Sequence, residues 1–222
     1  IRGCAVIDLG PLRTALFVPG TRLDRVDKAL ATAADAVIID LEDAVPLAQK
    51  AAAREAVARL LADLDTRKII VRVNGTHTAY FQQDIEQMVC SQVSAIMVPK
   101  VESDEDVASI NAALLQAENT KGLQPGLLPM IALIETARAV DNISQIVRAD
   151  TQPARLYTVA FGAADYTLDL GIEITGEGNE LQYARSRLPI ACRAAGLEPP
   201  LDTPFMLDLK AGPGLQADAM RA

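Results

Sequence analysis

The stretch DAVIIDLEDAV, residues 35–45, begins as a continuous apolar run and ends in three carboxylates, Asp40, Glu42 and Asp43. An apolar run without polar alternation is typical of a parallel strand that is covered on both faces. Carboxylates that follow such a strand repel one another and lose hydration. The cluster therefore persists only if it is solvated, paired with cations or used to organise a site.

Similar apolar runs recur along the chain at intervals of roughly 25 to 35 residues, each followed by a segment with helical periodicity. The predicted strands are 14–18, 36–40, 68–73, 95–98, 129–134 and 156–161. The predicted helices are 24–33, 47–64, 79–89, 103–118, 136–149 and 179–195. A weaker seventh unit begins at 201–203 and is followed by KAGPGLQ, residues 210–216, and a last helical piece.

Repeated βα units without a low-complexity linker predict an α/β fold, a (β/α)8 TIM barrel that occupies residues 1–222 as a single domain. Because six units are clear and a seventh is weak, we expect the eighth unit to be missing from these residues. The main alternative is a doubly wound open sheet. Its dinucleotide fingerprint is absent, since TALFVPGTRLDR (14–25) has one glycine after the first strand and not three.

The composition favours an acidic cytosolic enzyme. Asp and Glu number 29 against 21 Lys and Arg, a formal charge of −8, and there is no basic run to grip nucleic acid phosphates. The three cysteines, Cys4, Cys90 and Cys192, lack the spacing of a disulfide framework or a zinc site. No apolar stretch approaches the roughly 20 residues that cross a bilayer, so we expect no membrane association and a cytoplasmic location.

Polar residues collect at the carboxyl ends of the predicted strands, which all lie at one end of a barrel. In chain order they are Pro19, Gly20, Asp40, Glu42, Asp43, Arg72, Asn74, Lys100, Glu135, Gly162 and Asp165. The acids after the second strand are therefore expected to meet cations from neighbouring strands and further carboxylates across the barrel mouth.

Glu135 and Asp165 are the predicted metal ligands, because Mg²⁺ takes one or two carboxylates and completes its shell with water and substrate oxygens. Alternatively, Glu135 could be a favourable charge at the start of a helix, and Asp165 could begin a turn. For Asp40, Glu42 and Asp43 we predict a supporting role, orienting metal-bound water and pairing with cations; a solvated acidic edge is the alternative.

Arg72 is the predicted carboxylate clamp, because a guanidinium forks onto a carboxylate with two hydrogen bonds. A structural ion pair with Glu42 or Asp43 is a second interpretation, and the two roles can coexist. Lys100 could form a Schiff base, but the neighbouring acids would raise its pKa and disfavour covalent catalysis. His77, the only histidine, is predicted to be a loop residue.

Motifs along almost the whole chain resemble those of the citrate lyase β-subunit-like family, which includes citryl-CoA and malyl-CoA lyases and belongs to the phosphoenolpyruvate/pyruvate TIM-barrel superfamily. The matching segments are LFVPG (16–20), Lys28-Ala29, DLEDAV (40–45), Lys50, Arg54, VRVN (71–74), VPKVES (98–103), LIETARAV (133–140), FGAADYTLDLG (161–171) and ARSRLPIACRAAGL (184–197).

The resemblance implies Mg²⁺-dependent cleavage or formation of a carbon–carbon bond between an acyl thioester, on CoA or an acyl carrier, and a small 2-oxo acid such as oxaloacetate. It implies that Glu135 and Asp165 bind the metal and that Arg72 and Glu135 contact substrate. The Phe17, Pro19 and Gly20 loop, with Arg25 and Lys28, resembles the part that meets the thioester. We assign Arg72, Glu42 and Asp43 as catalytic.

The general acid or base remains open, because the related lyases supply an aspartate from the C-terminal lid of a neighbouring subunit. The resemblance implies that this lid is missing from residues 1–222, together with the eighth unit. Such a shared lid implies a homotrimer or a larger assembly. Two other functions remain open: a metal-dependent aldolase acting on free 2-oxo acids, and a subunit active only within a lyase complex. The sequence does not distinguish citryl, malyl and methylmalyl substrates.

Overall fold

A computed structural model describes residues 9–66, 68–206 and 212–221, and its centre is one parallel sheet of six strands in chain order. The strands are β1 (Ala15–Pro19), β2 (Ala36–Asp40), β3 (Ile69–Arg72), β4 (Val93–Val98), β5 (Met130–Ile134) and β6 (Leu156–Phe161). In a sheet of strictly sequential order the right-handed crossovers place every helix on the same face. This arrangement confirms the predicted barrel class, since a doubly wound sheet reverses its strand order.

Helices connect and follow the strands, within a residue or two of the predicted ends in most units. They are α1 (Val26–Leu30), α2 (Lys50–Asp63), α3 (Phe81–Met88), α4 (Asp104–Thr120), α5 (Ala137–Asp141), α6 (Ile143–Ile146), α7 (Ala163–Leu170), α8 (Gln182–Ala195) and α9 (Gly212–Ala219). Short 3-10 turns precede α1, α2 and α8. Ser103 caps α4 in a capping box with Asp106, as its spacing predicted.

Two helical predictions were wrong in detail. The segment 136–149 is two short helices that meet at Asn142, not one continuous helix. Helix α7 was not predicted, because its eight residues lie directly after β6 where a turn was expected. Asp165 consequently lies in the first turn of this helix.

The seventh unit is present as a single parallel bridge between Leu201 and Ala160. The amide of Leu201 donates to the Val159 carbonyl at 3.0 Å, and the amide of Phe161 donates to the Leu201 carbonyl at 2.9 Å. Arg185 of α8 binds both Asp202 and Asp218, which fastens α9 to the end of this unit. Cys4, and the first two residues of KAGPGLQ, lie outside the described residues.

Alternation along the strands divides the apolar side chains into two layers. One set, including Val37, Ile39 and Val71, packs against the helices. The other set faces the barrel interior and consists of Ala36, Ile38, Ile70, Ala95, Met97, Ile131, Leu133 and Ala160. Two residues beyond Ile38, Ile70 and Leu133 along the same face stand Asp40, Arg72 and Glu135. The alternation therefore carries these polar side chains to the barrel mouth.

A buried ion pair stabilises the opposite end of the barrel. Arg155, which precedes β6, donates to both carboxylate oxygens of Glu118 in α4, at 2.8 and 3.0 Å, and neither side chain is exposed. Glu118 also accepts the amides of Gly126 and Leu128. Each polar atom of the pair thus finds partners, as buried charges require. Among the helices of the described part, none is long and apolar enough to span a membrane.

Candidate active site at the barrel mouth

The end of β2 is a tight turn organised by Asp40. Its side chain is buried, and its two oxygens accept the amides of Glu42 at 2.9 Å and Ala44 at 3.0 Å. Gly20 approaches from β1 and donates its amide to the Asp40 carbonyl at 2.7 Å. A Cβ at Gly20 would lie 2.9 Å from that carbonyl oxygen, so only glycine fits there.

Arg72 at the end of β3 is held by Asp40. Its Nε and Nη2 each donate to one Asp40 oxygen at 2.7 Å, while Nη1 lies 3.1 Å from Glu42 and 3.8 Å from Asp43. The predicted pairing of these acids with a cation from a neighbouring strand is present, and Asp40 is the one that binds Arg72 through two hydrogen bonds. The two-fold bond forms because Asp40 and Arg72 are in register on adjacent parallel strands.

The remaining nitrogen of Arg72 faces a less satisfied acid. Glu42 Oε2 is buried and forms no hydrogen bond of good geometry with the protein. Burial raises the pKa of Glu42 to about 7; Arg72 opposes this shift, whereas Asp43 and Asp40 add to it. Asp43 is exposed at the rim of the mouth. Glu42 and Asp43 thus lie on the same side of the Arg72 guanidinium, Glu42 buried in the mouth and Asp43 exposed at its rim.

Glu135 follows β5, and its carboxylate turns into the barrel mouth. Only 3% of the residue is exposed, and Oε1 accepts the backbone amide of Lys100 at 2.9 Å. Burial raises the pKa of Glu135 to about 8, and the charges of Asp165 and Glu42 add to the rise. The helix that follows is capped by Thr136, whose side chain accepts the Ala139 amide. Thr136 therefore supplies the side-chain cap of this helix, while Glu135 accepts the Lys100 amide.

Asp165 faces Glu135 from α7 and is paired with a lysine. The ammonium of Lys100 lies 2.9 Å from Asp165 Oδ2. This ion pair raises the pKa of Lys100, as expected from the sequence, and keeps the amine protonated. A Schiff-base role for Lys100 is disfavoured on the same ground.

The donor set at the mouth suits one hard divalent cation. Glu135 and Asp165 offer two carboxylates, and within the described ranges no cluster of three or more His, Cys, Asp or Glu side chains has metal-ligand geometry. Burial raises the pKa of Glu135, the charges of Asp165 and Glu42 add to the rise, and a divalent cation would favour the ionised carboxylate. Two protein ligands leave the other coordination positions to water and substrate, as Mg²⁺ prefers.

The predicted thioester-binding residues lie at one side of the mouth. The ring of Phe17 is 5.2 Å from the guanidinium carbon of Arg72, in cation–π contact. Phe17 also lines an open cleft of about 440 Å³, together with Leu16, Val18, Arg22, Asp24, Arg25, Lys28, Ala29 and Thr32. Pro19 ends β1 in register with Asp40. Phe17 and Lys28 therefore line the same cleft, whereas Pro19 lies beside Asp40 at the end of β1.

A buried polar network beneath the Asp40 turn includes one residue that the sequence analysis missed. Asp84 of α3 accepts Arg54 Nε as well as the backbone and side-chain amides of Asn74, and Asn74 also donates to the Leu41 carbonyl at 3.1 Å. Lys50 donates to the carbonyls of Leu41 and Glu42.

The sequence did contain a signal for this buried acid. Asp84 interrupts the apolar helix face formed by Phe81, Ile85 and Met88.

The remaining candidates lie apart from this cluster. His77 is an exposed loop residue, as predicted. Cys90 is partly buried and Cys192 is buried, and both are free thiols.

The protein-family model described as HpcH/HpaI aldolase/citrate lyase matches residues 13–212. This chain belongs to that family. The predicted family resemblance is confirmed, because the match includes every strand and every mouth residue described above.

Relatives within the HpcH/HpaI aldolase/citrate lyase family include two named enzymes. Citrate lyase subunit beta of Leuconostoc mesenteroides subsp. cremoris is 37% identical over 187 residues, which are 83% of this chain and 61% of the relative. An L-malyl-CoA/beta-methylmalyl-CoA lyase of Cereibacter sphaeroides is 30% identical, and the alignment covers 96% of this chain and 72% of the relative. The chain thus spans about three fifths of the length of the citrate lyase relative.

A solved structure of this family gives the same fold. Protein CitE from Mycobacterium tuberculosis, in complex with magnesium, acetoacetate and coenzyme A, superposes with a TM-score of 0.73 and 32% sequence identity. The superposition covers 92% of this chain and 69% of that chain.

Proposed function

We propose that this chain carries the barrel part of a Mg²⁺-dependent carbon–carbon lyase. The reaction is cleavage of a 3-hydroxyacyl thioester, of citryl or malyl type, into an acyl thioester and a 2-oxo acid such as oxaloacetate. The observation that supports this most is the convergence of Arg72 and the Glu135–Asp165 pair at one barrel mouth. That combination suits a substrate with a carboxylate beside a metal-binding oxygen.

Glu135 and Asp165 would hold the metal, which when bound supplies Lewis-acid polarisation of the substrate oxygens. Arg72 binds and orients the substrate carboxylate. Since Asp40 occupies Nε and Nη2, the substrate approaches Nη1, where Glu42 now lies at 3.1 Å. The guanidinium is pre-oriented by Asp40 and covered by Phe17, so little reorganisation accompanies binding.

Glu42 is placed to hold a proton near the reacting atoms. With its pKa raised to about 7, it populates both protonation states near neutral pH, as a proton-transfer group requires. When Glu42 is protonated it attracts Arg72 less strongly, so Nη1 of Arg72 would be free to bind a substrate carboxylate. Asp43, exposed at the rim, would orient water at the mouth.

The thioester component is supported by the names of two relatives and by the coenzyme A in the CitE structure. The cleft beside Phe17, with Arg25 and Lys28 in its wall, would receive the carrier portion. The same proposal includes a single barrel domain over residues 1–222. It also includes a homotrimer or larger assembly, in which a neighbouring subunit supplies a lid residue. The cytoplasmic location stays a prediction.

Calorimetric titration tests this function. Mg²⁺ followed by oxaloacetate, pyruvate or glyoxylate is titrated into the wild-type protein and into Glu135→Ala and Asp165→Ala. We expect metal-dependent binding of a 2-oxo acid that both substitutions abolish, after which CoA thioesters are assayed for cleavage. Binding that ignores metal, or that survives both substitutions, would contradict the proposal.

Two other functions predict different results. A metal-dependent aldolase would act on free 2-oxo acids without any thioester. A subunit that works only in a complex would bind the 2-oxo acid but leave free CoA thioesters intact, and would turn over a thioester only with a carrier protein present.

A further inference from the structure

Lys100 contacts both carboxylates of the proposed metal site through different parts of the same residue. Its backbone amide donates to Glu135 Oε1 at 2.9 Å, and its ammonium lies 2.9 Å from Asp165 Oδ2. The backbone of Lys100 has a φ of 53°, in the left-handed region that non-glycine residues rarely adopt. This conformation directs the amide towards one acid while the side chain reaches the other.

The ammonium of Lys100 occupies a position where a cation is needed. At the mouth, Asp40, Glu42, Asp43, Glu135 and Asp165 face Arg72 and Lys100. Arg72 is committed to Asp40 and Glu42, so Asp165 depends on Lys100 among the described residues. Without this ammonium, Asp165 would lie near Glu135 with no cation bonded to it among the described residues.

We propose that Lys100 is an internal counter-ion that substitutes for the divalent cation and competes with it for Asp165. The backbone amide holds Glu135 in place whether or not metal is bound, and the ammonium holds Asp165 until metal displaces it. Lys100 therefore sets how tightly the site binds metal. It positions both carboxylate ligands, and its ammonium lowers their affinity for the metal ion. This inference rests on the proposed metal site.

Electrostatic repulsion supports competition between the Lys100 ammonium and the metal ion. A cation that enters between Glu135 and Asp165 must break the ion pair at 2.9 Å or share Asp165 with a like charge. Only 35% of the Lys100 side chain is exposed, so solvent screens this repulsion incompletely. Removal of the ammonium would lower the cost of metal entry, although the metal-free protein would lose an ion pair.

The test is titration of Mg²⁺ into the wild-type protein, Lys100→Met, Lys100→Gln and Lys100→Arg by calorimetry. All variants keep the backbone amide. We expect Mg²⁺ to bind about tenfold more tightly to Lys100→Met and Lys100→Gln, and with nearly wild-type affinity to Lys100→Arg. Lys68→Met is the matched control, since Lys68 is exposed at the far end of β3, and it should leave the affinity unchanged.

Thermal unfolding gives a second readout. Metal-free Lys100→Met should melt below the wild type, and saturating Mg²⁺ should raise its melting temperature by more than it raises that of the wild type. Equal or weaker Mg²⁺ binding by both neutral variants would overturn the proposal. If the wild type binds Mg²⁺ through Glu135 and Asp165 but the neutral variants match it, only this inference fails. If the wild type binds no Mg²⁺, the proposed metal site fails as well.

Discussion

The side chain of Glu135 fills the space in which a side chain at Gly162 would otherwise lie. A Cβ at Gly162 would come within 2.6 Å of Glu135 Oε2 and 2.7 Å of its Cβ. The absence of a side chain at Gly162 therefore permits Glu135 to enter the mouth beside α7. The φ of Gly162 is −106°, so the requirement is spatial and not conformational.

Substitution Gly162→Ala should displace Glu135 and weaken Mg²⁺ binding by at least about tenfold, which corresponds to about 1.4 kcal/mol. The added methyl group cannot be accommodated unless the Glu135 side chain moves from its present position. The control is Gly176→Ala, where an added Cβ meets nothing within 4 Å. Calorimetry of both variants checks this, and wild-type affinity in Gly162→Ala would contradict it.

Substitution Arg72→Lys should weaken oxaloacetate binding by at least about tenfold while the protein remains folded. A lysine keeps the charge, but it cannot hold both oxygens of Asp40 and still present a nitrogen to the substrate. Arg13→Lys, which alters an exposed ion pair with Asp35, should change nothing. The measurement is a ligand titration at saturating Mg²⁺, and equal affinity in both variants would remove Arg72 from the site.

The metal-free protein should become less stable as pH rises from about 5 to 8. The pKa of folded Glu135 is raised from its ordinary 4.5 to about 8, so the folded state binds more protons than the unfolded chain across that interval. The free energy of unfolding then falls with increasing pH. Glu42, raised to about 7, contributes in the same direction.

Chemical denaturation at several pH values measures this slope. Glu135→Gln should flatten it, because the amide does not titrate, and Mg²⁺ at pH 8 should restore stability to the wild type. A slope in Glu135→Gln equal to that of the wild type would show that Glu135 is not its source.

Substitution Glu118→Gln should lower stability by about 3–5 kcal/mol, because it leaves the fully buried guanidinium of Arg155 without its counter-charge. Glu55→Gln is the matched control, since its pair with Arg59 spans 3.9 Å on an exposed helix face. That control should cost less than about 0.5 kcal/mol. Since Glu118 lies at the end of the barrel away from the mouth, the dissociation constant of Mg²⁺ should stay unchanged below the melting temperature.

Apolar runs followed by helical segments were sufficient to predict the repeated βα units and the barrel class, because β2, β4 and β5 are buried along their whole length. The predicted strand ends placed Asp40, Arg72 and Glu135 at the barrel mouth, and the structure adds that they share the inner face with Ile38, Ile70 and Leu133. Helix α7 escaped prediction because it begins directly after β6, where a turn was expected.

The residue types at the strand ends were determined by the sequence itself, as were the excess of acids over cations at the mouth and the likeness to a known family. Which acid pairs with which cation was decided only by the tertiary structure. Asp40 pairs with Arg72 because the two residues are in register on adjacent strands. The pair of Lys100 with Asp165 and the bond of Asp84 to Asn74 depend on which helix packs behind the strands. A hydrogen bond forms within about 3 Å, and a distance of that kind between residues far apart in sequence is fixed only when the strands pair in register and the helices pack against them.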